Sequence, residues 1–180
     1  MKYLILSCSL HPRSLSRVLG RHLEGYLDPA ETAFVDLMEV DLPICDGGAA
    51  YSHPETKRIV EQITAAQGII IASPIYNYDL SAAAKNVLEL SGRAWADKVV
   101  GLLLAAGGRG SYMAGMSFLN SMMLDFHTFI LPRFVFAPGL VFGEEPMIDD
   151  ELDRRIKELA EELVRVTEAL ARPKKTEELP

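Results

Sequence analysis

The sequence predicts an α/β protein: one parallel sheet with helices on both faces, a three-layer sandwich. Apolar runs alternate with helical patterns from one end of the chain to the other. The runs Tyr3-Leu4-Ile5-Leu6, Gly68-Ile69-Ile70-Ile71-Ala72 and Val99 to Leu104 are apolar almost throughout, without the polar alternation of a half-exposed strand. Strands of that kind belong to a sheet covered on both sides. At 180 residues, 49% hydrophobic and 24% charged, the chain suits one domain with a substantial core.

Tyr3 to Leu6 reads as the first strand, and Leu15, Val18, Leu19, Leu23 and Tyr26 share a helical face after it. Ala33-Phe34-Val35 is the second strand, followed by the loop Asp41-Leu42-Pro43-Ile44-Cys45-Asp46-Gly47-Gly48. Ile59, Val60 and Ile63 place a helix between Pro54 and Gln67, and Gly68 to Ala72 is the third strand. A helix from Ser81 to Gly92 ends on its glycine. Val99 to Leu104 is the fourth strand, Ser111 to His127 a helix, and Phe134-Val135-Phe136 the fifth strand. Leu152, Ile156, Leu159, Leu163, Val166 and Leu170 form the stripe of a long last helix. We expect a single domain over residues 1–172 and a frayed tail over 173–180.

The net charge of −7 argues against nucleic acid or an anionic membrane as partner. The two cysteines, Cys8 and Cys45, make no disulfide framework and no metal-ligand spacing, so an intracellular protein without a metal site is expected. No apolar run is long enough to span a bilayer. Met1 to Leu10 is apolar like a signal core, but His11-Pro12-Arg13 follows with no small-residue cleavage site, and a buried first strand is the better account.

In an open parallel sheet, ligands bind beyond the carboxyl ends of the strands. Three loops leave those ends here. Ser7-Cys8-Ser9-Leu10-His11-Pro12-Arg13-Ser14-Leu15-Ser16 joins the first strand to a helix and is rich in hydroxyls. Amides at a helix start bind anions, so a terminal phosphate suits it; the plainer reading is that Ser14 or Ser16 only caps the helix. Ser73-Pro74-Ile75-Tyr76-Asn77-Tyr78-Asp79-Leu80-Ser81 offers aromatic faces and turn amides to a flat ring, or is a packed turn with Tyr76 as filler. Ala105-Ala106-Gly107-Gly108-Arg109-Gly110-Ser111 has glycines that permit positive φ and close approach of the backbone to a ligand, or is a flexible connector. Together, at the same sheet edge, the loops point to a phosphorylated planar heterocycle.

Several segments resemble the NADPH-dependent FMN reductase family, a group with the flavodoxin-like fold that includes quinone, chromate and azo-dye reductases. Ser9-Leu10-His11-Pro12-Arg13-Ser14 is similar to its first loop, Asp41-Leu42-Pro43-Ile44 to its segment after the second strand, Pro74-Ile75-Tyr76-Asn77 with Lys85-Asn86 to its most specific motif, and Gly107-Gly108 to its third loop. The likeness runs from about residue 2 to 112. It implies five parallel strands in the order 2-1-3-4-5. It also implies FMN as cofactor, NADPH or NADH as co-substrate, and a small acceptor: a quinone, free flavin, azo dye or metal oxyanion. A cytoplasmic homodimer or homotetramer would follow, and Met113, Met116, Met122 and Met123, on a predicted helix, are candidates for its contact or for core.

For the site, the resemblance implies Ser9, His11, Arg13, Ser14 and Ser16 around the phosphate, with His11 where the family usually has arginine. It puts Pro74, Ile75, Tyr76 and Asn77 along the ring, and Gly107, Gly108 and Arg109 toward its pyrimidine side. Cys8 stands in place of the usual glycine and Ser81 in place of a frequent proline. The flavin carries the redox chemistry, so no catalytic acid–base triad is expected. The rivals are a binding module that has lost its flavin, a flavodoxin-type electron carrier, and a low-molecular-weight-type phosphatase. The last rests on Cys8, Arg13 and Ser14, a Cys-x4-Arg-Ser one residue short of that enzyme's loop.

Overall fold

The computed structural model describes residues 2–139 and 148–171; the expected tail at 173–180 lies outside the described residues. Strand β1 (Tyr3–Ser7) is followed by α1 (Leu15–Glu24), β2 (Thr32–Asp36), α2 (Pro54–Ala65), β3 (Gly68–Tyr76), β4 (Asp79–Leu80) and α3 (Ala82–Ser91). Then come β5 (Val99–Ala106), α4 (Met116–Phe126), β6 (Phe129–Ile130), β7 (Val135–Pro138) and α5 (Asp150–Ala171). The sheet runs β2-β1-β3-β5-β6, parallel along this path, with β7 also parallel on β5.

Five strand positions in the order 2-1-3-4-5 are therefore occupied, but by seven strands. The extra two have separate causes. The fifth position is split: β6 pairs with Val99 and Val100, and β7 with Leu103 to Ala106. The register shifts by two across the gap, Val100 facing Ile130 but Leu103 facing Val135, so residues 131–134 stand opposite only two residues of β5 and the ladder breaks. The other is β4, a two-residue return that pairs antiparallel with the end of β3, Tyr76 opposite Asp79 and Ile75 opposite Leu80. Asn77 (φ 50°) and Tyr78 (φ 67°) form the turn between them, both left-handed as a type I′ hairpin requires.

The sheet alternates its side chains between two cores. Leu4, Leu6, Ile69, Ile71, Leu102 and Leu104 pack with α2, α3 and α4. Ile5, Ile70, Ala72, Leu103 and Ala105 pack with α1 and α5 on the other face. Close approach of α5 needs a bare strand backbone: a Cβ on Gly68 would lie 2.7 Å from Thr167 Oγ1. Leu15, Leu19 and Leu23 hold α1 to the sheet, while Val18 and Tyr26 from the same predicted face are exposed. On α5, Ile156, Leu159 and Leu163 are buried and Leu170 is not. Helix α4 is shorter than predicted. A 3-10 turn at Arg109–Ser111 precedes it and Gly115 is its N-cap, so Met113 lies before the helix. Among the described residues, no helix is long and apolar enough to cross a membrane.

Candidate active site

The three loops leave β1, β3 and β5 at one edge of the sheet and enclose a cavity of about 290 Å³. Ser9, Ser14, Leu15 and Ser16 wall one part, Pro74, Ile75 and Tyr76 another, and Ala105, Ala106 and Gly107 a third.

The first wall is polar. Ser9, Ser14 and Ser16 are all buried. Ser14 caps α1 by accepting from the Arg17 amide at 3.1 Å, and its hydroxyl lies 3.1 Å from that of Ser16. Capping and cavity lining are thus the same residue's work. The Leu15 and Ser16 amides belong to the first turn of α1, which offers them no intrahelical acceptor. Hydroxyls and first-turn amides together make a donor set suited to an anion.

The second wall is held by an unexpected residue, Ser81. The β1–β3 register runs through Ser7 opposite Ala72, and the Cys8 amide donates to the Ala72 carbonyl at 2.8 Å. In a parallel ladder the Cys8 carbonyl would next accept from residue 74. That residue is Pro74, which has no N–H. The Ser81 hydroxyl supplies the donor instead, 2.5 Å from the Cys8 oxygen. Ser81 Oγ also accepts from the Ala84 amide at 3.2 Å, capping α3, while the Ser81 amide donates to Ser73 Oγ at 3.1 Å. Two of the site's loops are therefore pinned to each other.

Gly107 brings bare backbone to the third wall. Neither it nor Gly108 has the positive φ that glycine would favour, and a Cβ on either would meet nothing within 4 Å. The glycines leave open space beside the chain, which a ligand edge can fill.

Of the residues singled out in the sequence, Ser9, Ser14, Ser16, Pro74, Ile75, Tyr76 and Gly107 meet at this cavity. His11, Arg13, Asn77, Gly108 and Arg109 lie outside its wall. His11 Nδ1 accepts from the Arg13 amide at 3.1 Å, and Arg13 is exposed. Arg109 lines a neighbouring cleft with Tyr112, Phe136 and Arg155. Asn86 staples the loop after β2 to α3, donating to the Pro43 carbonyl and accepting from the Cys45 amide, each at 2.9 Å.

Cys8 is fully buried in the core and donates weakly to the Leu6 carbonyl at 3.6 Å. Burial, with the Asp36 carboxylate adding to it, pushes its thiol far above the usual range. A phosphatase needs an accessible thiolate. The phosphatase rival fails on this residue.

Comparison with known proteins adds an independent line. The family model described as NADPH-dependent FMN reductase matches residues 1–140. The chain is 29% identical over 133 residues to an NAD(P)H-dependent FAD/FMN reductase of Geobacillus thermodenitrificans (strain NG80-2), covering 72% of each chain. It is 25% identical over 171 residues to an NADPH azoreductase of Bacillus sp. (strain OY1-2), covering 94% of this chain and 92% of that one. Among solved structures, the flavoenzyme NAD(P)H:(acceptor) oxidoreductase FerB of Paracoccus denitrificans superposes with a TM-score of 0.76 at 17% identity, over 93% of this chain and 97% of that one, a likeness of fold.

Proposed function

Because the chain belongs to the NADPH-dependent FMN reductase family, we propose that the sheet-edge cavity is where this oxidoreductase holds its FMN. The observation that carries this reading is the pairing, within one cavity, of buried serines at a helix start with an apolar slot. Ser9, Ser14, Ser16 and the first-turn amides of α1 would take the phosphate. Pro74, Ile75 and Tyr76 would border the ring, with Asn77 and Gly108 at the rim. The cavity is at the small end of ligand sites, so part of the ring would stay accessible to a second reactant.

FMN, when bound, supplies the hydride chemistry, and NAD(P)H is the donor. The protein's share is placement. Backbone amides of the Gly107 loop would face the part of the ring where negative charge develops on reduction, and preorganised donors are effective there. The acceptor is a small oxidant; the relatives are named for flavin, azo-dye and quinone reduction, so free flavin, an azo dye or a quinone is the first choice, with a metal oxyanion beside them. Anaerobic mixing of FMN-loaded protein with NADPH tests the reading. The visible flavin band should bleach and return on addition of acceptor. A band that persists under excess NADPH and NADH rejects it.

We also propose a cytoplasmic homodimer or homotetramer that meets through the α4 surface. Met113, Met116, Met123 and Leu124 are 49%, 38%, 44% and 72% exposed there, whereas Met122 is buried in the core. Both cysteines are unpaired, in keeping with a reducing compartment. Sedimentation at micromolar concentration should give an oligomer, and a monomer would reject the contact.

A further inference from the structure

One support of the first loop is not on the cavity wall. Arg17, in the first turn of α1, reaches back over the loop. Its Nη1 donates to the carbonyls of His11 at 3.2 Å and Pro12 at 3.0 Å, and its Nη2 to that of Ser9 at 3.3 Å. Nη2 also donates to Asp36 Oδ1 at 3.2 Å, and Nε forms an ion pair with the same carboxylate. Asp36 ends β2 and is buried; it is fixed in turn by the Met38 amide, which donates to it at 3.2 Å. A guanidinium offers five donors in a rigid fork, which is what several convergent acceptors require.

We infer that Arg17 is a positioning residue for the phosphate of the cofactor: by gathering the loop's carbonyls onto the Arg17–Asp36 pair, it holds the loop's amides and hydroxyls toward the cavity. This rests on the functional reading above. A loop of this length has no regular partner for its carbonyls, and any carbonyl that swung inward would face the phosphate with like charge. Arg17 takes up the carbonyls of Ser9, His11 and Pro12 on the far side. Asp36 balances its charge, so the action is geometric rather than a long-range field. The arrangement also fits the absence of His11 and Arg13 from the wall. Among the described residues no guanidinium lines the cavity, and one orders it from behind.

The test compares FMN with riboflavin, which lacks the phosphate, by titration of flavin-free protein followed by fluorescence. Arg17→Met should weaken FMN roughly ten- to hundredfold, the worth of a charge-assisted hydrogen bond or two, and leave riboflavin within about threefold. Arg17→Lys keeps the charge but not the fork and should fall between. Asp36→Asn, which releases Arg17, should lower FMN selectively as well. If Arg17→Met does not fold, the other two variants decide. A role confined to general stability would lower the melting temperature and weaken both flavins alike. That result, or FMN binding unchanged in all variants, overturns the inference. Failure of the unaltered protein to bind FMN at all would instead defeat the functional reading on which it rests.

Discussion

Replacing Ser81 by alanine tests the joint between the first two loops. The hydroxyl caps α3 through the Ala84 amide and serves the Cys8 carbonyl that Pro74 cannot serve. Loss of an N-cap costs about 1 kcal/mol. Leaving the Cys8 carbonyl buried without its donor costs about 1–3 kcal/mol more. The expected destabilisation is therefore about 2–4 kcal/mol, which at a urea slope of about 2 kcal/mol/M moves the unfolding midpoint down by about 1–2 M. A second substitution isolates the cause. Pro74→Ala returns an N–H to the ladder position facing the Cys8 carbonyl. It should recover roughly 1 kcal/mol or more in the Ser81→Ala background relative to its effect alone, a coupling that a double-mutant cycle reads directly. Urea melts followed by circular dichroism on the flavin-free protein are the assay. A Ser81→Ala cost below about 0.5 kcal/mol, or a cycle with no coupling, would refute the reasoning.

Other perturbations have equally definite outcomes. A thiol reagent should modify Cys45 but not Cys8 in the native protein and both after denaturation; rapid native labelling of Cys8 would contradict its burial. Asp153 on α5 accepts from Tyr26 and His22 of the α1 region, and these hydrogen bonds hold its carboxyl below the usual range. A depressed folded pKa contributes stability above the unfolded value and loses it as pH falls, so Asp153→Asn should lower the melting temperature near neutral pH and converge with the unaltered protein below about pH 4. Equal differences at both pH values would contradict this. Tyr78 holds a left-handed conformation that costs an L-residue about 1–2 kcal/mol, so Tyr78→Gly, after glycine's own entropy of about 0.5–1 kcal/mol, should leave stability unchanged or raise it slightly. A clear loss in thermal melts would mean that the Tyr78 ring makes contacts outweighing the strain.

Most of the fold is legible in the chain because the buried strands have no polar alternation: Ile69, Ile70 and Ile71 cannot belong to a half-exposed sheet. The hairpin at Asn77-Tyr78 escapes notice because its left-handed positions are filled without glycine, the residue that usually marks them. The split edge strand is a two-residue shift between Ile130 and Val135, which exists only once both pieces are laid against β5. In the site, residue types reveal the hydroxyl wall and the apolar wall, but not the supports behind them. Arg17 binds main-chain carbonyls, which leave no mark in a sequence, and its carboxylate partner is 19 positions away. Ser81 matters because of what Pro74 lacks, and that deficit exists only once strand register is known. The glycine loop misleads in the other direction. Its residues suggest unusual φ, yet their use is empty space beside an ordinary backbone.

A crystal structure of the protein soaked with FMN shows directly where the cofactor sits. We predict phosphate density against Ser9, Ser14 and Ser16, with the ring between the Pro74–Tyr76 wall and the Gly107 loop. Density for the flavin in the cleft lined by Arg109 and Arg155, or in the groove between α3 and α4, would contradict it.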